Sequence, residues 1–394
     1  MGWFKTAGAE MCDADVGNTP STLPSDSDTH KKVEGYRGLL NPSHPALRSR
    51  VAKQPRGRLE ALPGHIDLIT TERSHMKQHT HAPATSRRAG AIWPLAAMAA
   101  LVAGLSTTAH ADTGKLLLTG GVSTIEGAAG GGLSPWAVIG TQATESETGV
   151  SAFVSHAKTQ DYGLTVAGAA VAFNNRVELS VARQDFNTGI TGTLLGLPGL
   201  HLRQNIIGAK LRVAGDAVLD SDTLMPQIAV GIQAKQLESS GLDATLSALG
   251  AKRSGADVYV SATKLFLAQG IVVNGTLRAT KANQNGLLGF GAKLGGADNT
   301  YQIQPEISVA YLVRSNLAVG IEYRAMPNKL QTAGNAAGLG DGLRADDWKD
   351  IFVAWAPSKN VSLTAAYVDL GRIVPATTKN KRQNGVYVSA QFAF

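Results

Sequence analysis

Residues 316–327 read NLAVGIEYRAMP, with apolar side chains at every second position. Leu317, Val319 and Ile321 fall on one face of an extended chain, and Glu322 falls on the other. Successive residues of a β-strand point to opposite faces. The stretch therefore predicts a β-strand with one apolar and one polar face.

The same alternation recurs along the chain from residue 149 onward. Turn residues such as Gly, Asn and Pro separate the repeats,. The predicted strands are Gly149–Lys158, Gly163–Phe173, Arg176–Gln184, His201–Val213, Pro226–Lys235, Ala256–Leu267, Gly270–Lys281, Tyr301–Val313, Asn316–Pro327, Asp350–Ala356, Asn360–Asp369 and Gly385–Phe394. The only helix expected is a short one at Leu242–Leu249, in a loop.

Strand length distinguishes the two all-β architectures that fit this pattern. A soluble sandwich or solenoid uses strands of about 5–6 residues, whereas a tilted membrane-spanning strand needs about 9–11. The predicted strands favour an all-β, transmembrane, antiparallel up-and-down β-barrel at residues 149–394. The count is about 12 strands, or 14 if Lys115–Ile125 and Trp136–Thr144 belong to the wall.

The connections predict how the barrel sits in the membrane. Outer-membrane barrels have short periplasmic turns and long extracellular loops. Short links at 174–175, 268–270, 314–316 and 357–359 alternate with long ones at 188–200, 239–255, 284–300, 327–347 and 371–383. Two links fit less well, because 215–224 is of middling length and 159–162 is short. The last strand is expected to end in the periplasm.

The final strand, GVYVSAQFAF at 385–394, carries a further signal. One face holds Val386, Val388, Ala390, Phe392 and the terminal Phe394. This pattern resembles the C-terminal signal of Gram-negative outer-membrane proteins. The resemblance implies that the barrel-assembly machinery recognises this strand and that the protein resides in the outer membrane.

Residues 76–111 have the three parts of a secretory signal peptide. A basic start at Lys77 precedes an apolar run, and Ala109 and Ala111 form a cleavage site before Asp112,. A run of about 15 apolar residues is too short for a spanning helix. We interpret residues 1–75 as an over-extended, disordered N-terminus that precedes the true start at Met76.

Charge and cysteine content exclude several classes of function. Residues 1–111 hold 13 of the 37 Lys and Arg residues and 9 of the 30 Asp and Glu residues, so the remainder carries a net charge of about +3. Without a basic run there, no nucleic-acid partner is expected. Cys12 is the only cysteine, which excludes disulfides and cysteine-ligated metals after residue 112.

Residues 112–148 are rich in glycine and include LLLTGGVSTIEGAAGGGLSPWAVIG at 116–140, with Glu126 in apolar surroundings. A phosphate-binding loop is disfavoured, because Gly130 to Gly132 lack the Gly-Lys-Ser/Thr continuation. We interpret the segment as a plug or a first hairpin. Together with RVELSVARQDF at 176–186, it resembles a family of exported proteobacterial proteins described as a domain of unknown function. That resemblance implies export and no particular activity.

A Ser-His-acid catalytic arrangement requires a histidine beside a serine, and only His156 and His201 follow residue 112. Pairing with Ser155 or Ser180 is conceivable, but no motif marks either pair. No metal-binding or cofactor motif occurs either. We therefore expect neither an enzyme nor a cofactor.

Charged residues on the polar strand faces are the candidate lumen lining. They are Arg176, Glu178, Lys210, Arg212, Lys235, Arg278, Glu306, Glu322 and Arg324. Charged rings can select ions in a pore, and the basic excess predicts a mild anion preference. The barrel is expected to contact outer-membrane lipid. Three functions remain open: a porin-like channel for small solutes, a non-conducting barrel that displays its loops outside the cell, and, more distantly, an outer-membrane hydrolase.

Overall fold

The computed structural model describes residues 115–217, 220, 223–238 and 241–394. The residues before 115, including the predicted cleavage site at Ala109, Ala111 and Asp112, lie outside the described part. Most of what is described belongs to one closed antiparallel β-barrel of twelve strands. Its strands are β3 (Thr148–Thr159), β4 (Gly163–Phe173), β5 (Val177–Asn187), β6 (His201–Ala214), β7 (Gln227–Leu237), β8 (Ser254–Phe266), β9 (Ile271–Thr280), β10 (Gln302–Arg314), β11 (Leu317–Arg324), β12 (Trp348–Ser358), β13 (Val361–Asp369) and β14 (Asn384–Ala393).

Each strand pairs with its neighbours in the sequence, and the ring closes where β14 pairs with β3. At this junction Gly385 lies opposite Thr159, and Ala393 lies opposite Ser151. The predicted twelve-stranded up-and-down barrel is confirmed. The alternative count of fourteen is wrong, because Lys115–Ile125 and Trp136–Thr144 add no strand to the wall.

The barrel is apolar outside and polar inside. On β11, Ile321 is 57% exposed on the outer surface, while its neighbour Glu322 is 3% exposed and points inward. On β6, the outward Ile207 is 65% exposed, whereas Lys210 on the inner face is buried. A soluble β-barrel has the reverse arrangement, since water favours polar groups on the outside.

The two ends of the barrel differ. At one end the links are short except for 215–226, as at the turn after β4, where Asn174 and Asn175 both have positive φ. At the other end, three of the long links contain helices: α1 (Gly189–Leu194), α2 (Asp243–Ala248) and α3 (Lys329–Ala336). The helix predicted at Leu242–Leu249 corresponds to α2. No helix in the described ranges has the length and apolarity needed to cross a bilayer.

The long links pack over their end of the barrel. An apolar cluster there joins Leu242 and Leu246 near α2 to Leu287 and Ile373 from two other links. An ion pair joins the links before β12 and β14, because Arg372 donates to Asp346 over 2.7 Å. These contacts form a cover over the interior.

Candidate functional site

Residues 119–141, which we call the inner segment, lie inside the barrel. They contain two short paired strands, β1 (Val122–Ser123) and β2 (Ala129–Gly130). Both ends of the segment are near the short-turn end, since Lys115 Nζ donates to the carbonyl of Ile139 and Gln142 donates to the carbonyl of Lys359. Its middle reaches the long-link end, where Lys235 contacts both Glu126 of the segment and Asn285 of a long link. The chain thus enters and leaves the barrel at the same end.

Glu178 on β5 and Lys210 on β6 form the first attachment of the inner segment. The two carboxylate oxygens of Glu178 accept the backbone N–H groups of Ala129 at 3.0 Å and Gly140 at 2.8 Å. Lys210 donates to the carbonyls of Ala129 and Val138 and lies 3.1 Å from Glu178. One buried ion pair therefore satisfies backbone groups at two separate places in the segment, at Ala129 and at 138–140,.

Glu322 on β11 forms the second attachment. It accepts the backbone N–H groups of Leu133 at 2.8 Å and Ser134 at 3.3 Å, and the hydroxyl of Ser308 at 2.7 Å. A Cβ added to Gly131 would collide with this carboxylate. The glycine run therefore permits close contact between the segment's backbone and the wall.

The third attachment is a buried ion cluster around Glu126 of the inner segment. Glu126 contacts Lys235, lies 2.9 Å from Arg278 and lies 3.2 Å from Arg324. The wall supplies two further acids to the same cations: Asp257 lies 2.6 Å from Lys235, and Glu306 lies 2.5 Å from Arg278. Three bases thus face three acids, which is the pairing that buried charges require.

Neutral polar side chains of the wall satisfy other backbone groups of the inner segment. Gln184 donates to the carbonyl of Ile125, and Gln227 donates to that of Ala137, each over 2.7 Å. Thr276 donates to the carbonyl of Pro135 over 2.8 Å. The segment therefore contacts the wall through its backbone along much of its length.

The structure places seven of the nine predicted lumen residues in the buried interior: Glu178, Lys210, Lys235, Arg278, Glu306, Glu322 and Arg324. The other two differ from the expectation. Arg176 is exposed in the turn before β5, and Arg212 lies near the short-turn end, where it pairs with Asp216 at 2.7 Å. Strand alternation alone does not reveal where a strand leaves the barrel.

Sequence reasoning missed Asp257 and the role of Glu126. Asp257 follows the inward alternation of β8 with Tyr259 and Ser261, which could have marked it. With these two acids, the inner faces of the strands and the inner segment hold four buried bases and five buried acids. The bases are Lys210, Lys235, Arg278 and Arg324, and the acids are Glu126, Glu178, Asp257, Glu306 and Glu322. The predicted basic excess is therefore absent from the buried interior.

The serine and histidine pairs considered from the sequence are not assembled. His156 is exposed and contacts Thr165, whereas Ser155 is buried and contacts Ser389. His201 is exposed beside Asp185, and Ser180 faces the interior. Within the described ranges, no group of three His, Cys, Asp or Glu side chains could hold a metal ion.

The last strand presents its predicted apolar face outward. Val386 is 59% exposed and Phe392 is 49% exposed, while Val388 and Phe394 are also exposed and Ala390 is half-buried. The backbone of Phe394 exchanges two hydrogen bonds with Val150 on β3, of 2.8 and 2.9 Å. This end of the chain thus closes the ring.

These features define a closed, internally filled antiparallel β-barrel with an apolar outer surface. The chain belongs to the family described as protein of unknown function DUF3034, whose model matches residues 119–391. The match covers both the inner segment and the barrel, and it confirms the resemblance seen in the sequence. No curated protein matches the chain.

Several solved structures of barrels are similar to this chain at low identity. The KdgM porin in complex with disordered oligogalacturonate is 10% identical, with a TM-score of 0.39 over 62% of this chain and 99% of the porin. The COG4313 outer membrane channel from Pseudomonas putida F1 is 12% identical, with a TM-score of 0.39 over 64% and 97%. Outer membrane phospholipase A from Escherichia coli is 9% identical, with a TM-score of 0.35 over 62% and 92%.

Proposed function

We propose that this protein is an outer-membrane, porin-like channel for small polar solutes, and that the inner segment closes its lumen. The apolar outer face supports the membrane location, because lipid contacts favour apolar side chains on a spanning barrel. The predicted signal peptide and C-terminal assembly signal point to the same route of export.

The observation that carries the closed-channel proposal is how the inner segment is bound. Its backbone groups contact polar and charged wall residues such as Glu178 and Glu322, and no strand of the wall is made by the segment. Barrels of about eight strands are filled by their own side chains. This twelve-stranded wall leaves space for a folded segment, and displacing that segment would leave a lumen lined by polar groups.

The open lumen is expected to discriminate weakly between ions of opposite charge. The anion preference expected from sequence was based on a charge count that included Arg176 and Arg212, which lie outside the buried interior. That count omitted Asp257. Without Glu126, four buried bases face four buried acids, and the half-buried Asp350 lies opposite Glu322. We therefore propose weak selectivity in place of a clear anion preference.

Single-channel conductance in planar bilayers tests the proposal. The double variant Glu178→Gln, Glu322→Gln replaces two carboxylates that each accept two backbone N–H groups. Loss of these charge-assisted bonds weakens the closed state by about 3 kcal/mol or more, which is about a hundredfold in the ratio of closed to open states. We expect little conductance from the wild type and frequent openings from the double variant.

Glu145→Gln is the matched control, because Glu145 is an exposed carboxylate that contacts only Arg212 at 3.7 Å among the described ion pairs. It should behave as the wild type does. A folded double variant that never conducts would contradict the channel and favour the non-conducting barrel that displays its loops. A wild type that is already open would contradict closure by the inner segment.

A further inference from the structure

Polar side chains interrupt the apolar outer face of the barrel on β3 to β6, at the long-link end. Cross-strand register places six of them in two adjacent rows. One row contains Lys158 and His201, and the other contains His156, Thr165, Asp185 and Arg203. Asp185 is half-buried, and the other five are exposed. We call these six residues the outer polar patch.

The outer polar patch occupies only part of the circumference of the barrel. Closer to the short-turn end, the same four strands present an apolar row outward, which consists of Ala152, Ala169, Val181 and Ile207. Across the barrel, Ile303 near the long-link end of β10 is 70% exposed on the outer face. Apolar side chains therefore reach this height on the opposite wall, and the patch marks one side of the barrel.

Two cations of the outer polar patch have unused hydrogen-bond donors. Arg203 donates to Asp185 through Nε over 2.8 Å, and His201 contacts the same carboxylate. Among the described residues, neither the Nη atoms of Arg203 nor Nζ of Lys158 takes part in a hydrogen bond or an ion pair. A guanidinium group has five N–H donors and an ammonium group has three. The patch therefore presents positive charge and surplus donors to its surroundings.

We propose that the outer polar patch binds the phosphorylated sugar head group of a glycolipid in the outer leaflet. Phosphate oxygens accept charge-assisted hydrogen bonds from Lys158 and Arg203, and Thr165 suits sugar hydroxyls, which both donate and accept. The acyl chains pack on the apolar row, where Ile207 is 65% exposed. Unpaired cations are costly in hydrocarbon, so a head group at this height also satisfies the free donors. The proposal rests on the membrane position proposed above and not on conduction.

Native mass spectrometry of the full-length protein, released from detergent micelles, tests the proposal with rough lipopolysaccharide, a phosphorylated glycolipid. The wild type should retain bound lipopolysaccharide. The double variant Lys158→Gln, Arg203→Gln should bind it about tenfold more weakly, because hydrogen bonds from two charged groups to phosphate are lost. Lipopolysaccharide whose phosphates have been removed enzymatically should bind the wild type about as weakly as the intact lipid binds the double variant.

The double variant Arg314→Gln, Lys359→Gln is the matched control, because it removes two exposed cations from the short-turn end. It should bind lipopolysaccharide as the wild type does, and equal weakening in both double variants would overturn the site.

Comparisons on the wild type alone decide the matter even if the patch variant does not fold. Equal binding of intact and dephosphorylated lipopolysaccharide would overturn the role of phosphate. Binding of phosphatidylglycerol as tight as that of lipopolysaccharide would overturn the choice of a glycolipid. A wild-type dimer that the patch variant dissociates would assign the patch to a second copy of the chain. Conductance is measured in bilayers without lipopolysaccharide, so each result stands without the other.

Discussion

Glu126 is the residue on which the ion cluster depends. Its carboxylate is fully buried and contacts Lys235, Arg278 and Arg324. The sequence shows an acid in apolar surroundings, but its partners lie more than 100 residues away on three different strands. Local pattern could not name them, because only closure of the barrel brings those strands around the segment.

Glu126→Gln should destabilise the folded protein. The change leaves three buried cations with two acids, and breaking a buried ion pair from one side costs about 3–5 kcal/mol. Urea unfolding of the refolded barrel measures the loss. Glu145→Gln, at an exposed position, should change the free energy of unfolding by less than about 0.5 kcal/mol. Equal stability of the two variants would show that the cluster is not held by Glu126.

Gly131→Ala should release part of the inner segment from β11. The added Cβ would collide with the Glu322 carboxylate, so the amides of Leu133 and Ser134 should exchange hydrogen faster. Mass spectrometry of hydrogen exchange over that peptide measures this. Gly275→Ala is the matched control, since a Cβ there meets nothing within 4 Å. Unchanged exchange in Gly131→Ala would contradict the close contact.

At the scale of elements, period-two alternation was sufficient to locate the strands. Gly163–Phe173 was predicted with the bounds of β4, and Asn360–Asp369 differs from β13 by one residue. The position of the inner segment is harder to predict, because alternation identifies a strand but not the strands with which it pairs. Trp136–Thr144 reads as a possible strand, yet Ala137 donates its backbone N–H to Thr263 inside the barrel. Whether such a stretch joins the wall depends on which strand edges, far away in the sequence, lie next to it in the folded barrel.

The links at the covered end should loosen in acid. Hydrogen bonds from Arg372 hold the pKa of Asp346 below its usual value, against the opposing effect of burial. A depressed folded pKa gives stability that is present above the unfolded value of about 3.9 and is lost as pH falls through the folded value. Hydrogen exchange of residues 371–383, corrected for its intrinsic pH dependence, should therefore lose protection across that range.

Asp346→Asn provides the control for this effect. It should lower protection of residues 371–383 at neutral pH and remove most of the acid dependence, because the titrating group is gone. An acid dependence that persists unchanged in this variant would assign the effect to another group.

At the scale of the whole molecule, the reversed distribution of polar and apolar residues was predictable, whereas the contents of the lumen were not. Composition and alternation indicate a polar inner face such as that of Glu306 and Ser308. They do not indicate whether water, side chains or a segment of chain fills the space. That answer depends on pairings such as Glu322 with Leu133, which are 189 residues apart.

The apolar outer face of the barrel predicts that a lysine placed on it destabilises the protein by an amount that depends on its depth in the membrane. Ile307 lies near the middle of β10 and is 50% exposed on the outer face, while Ile303 lies near the end of the same strand. A lysine at the bilayer midplane costs about 2–4 kcal/mol, and one near the interface costs about 0–1. Folding into lipid vesicles, titrated with urea, should show a larger loss for Ile307→Lys than for Ile303→Lys. Equal losses would contradict the proposed membrane position of β10.

The pairing of β14 with β3 also bears on the order in which the molecule assembles. It joins the last strand of the barrel to the first, across more than 220 residues of chain. Contacts of such long sequence separation form slowly, because the entropy of a large loop must be lost first. The inner segment directly precedes β3 along the chain. Pairing of β14 with β3 thus converts an open sheet with two unpaired edges into a closed barrel. The inner segment, which will occupy the lumen, is already covalently attached next to β3 before that closure.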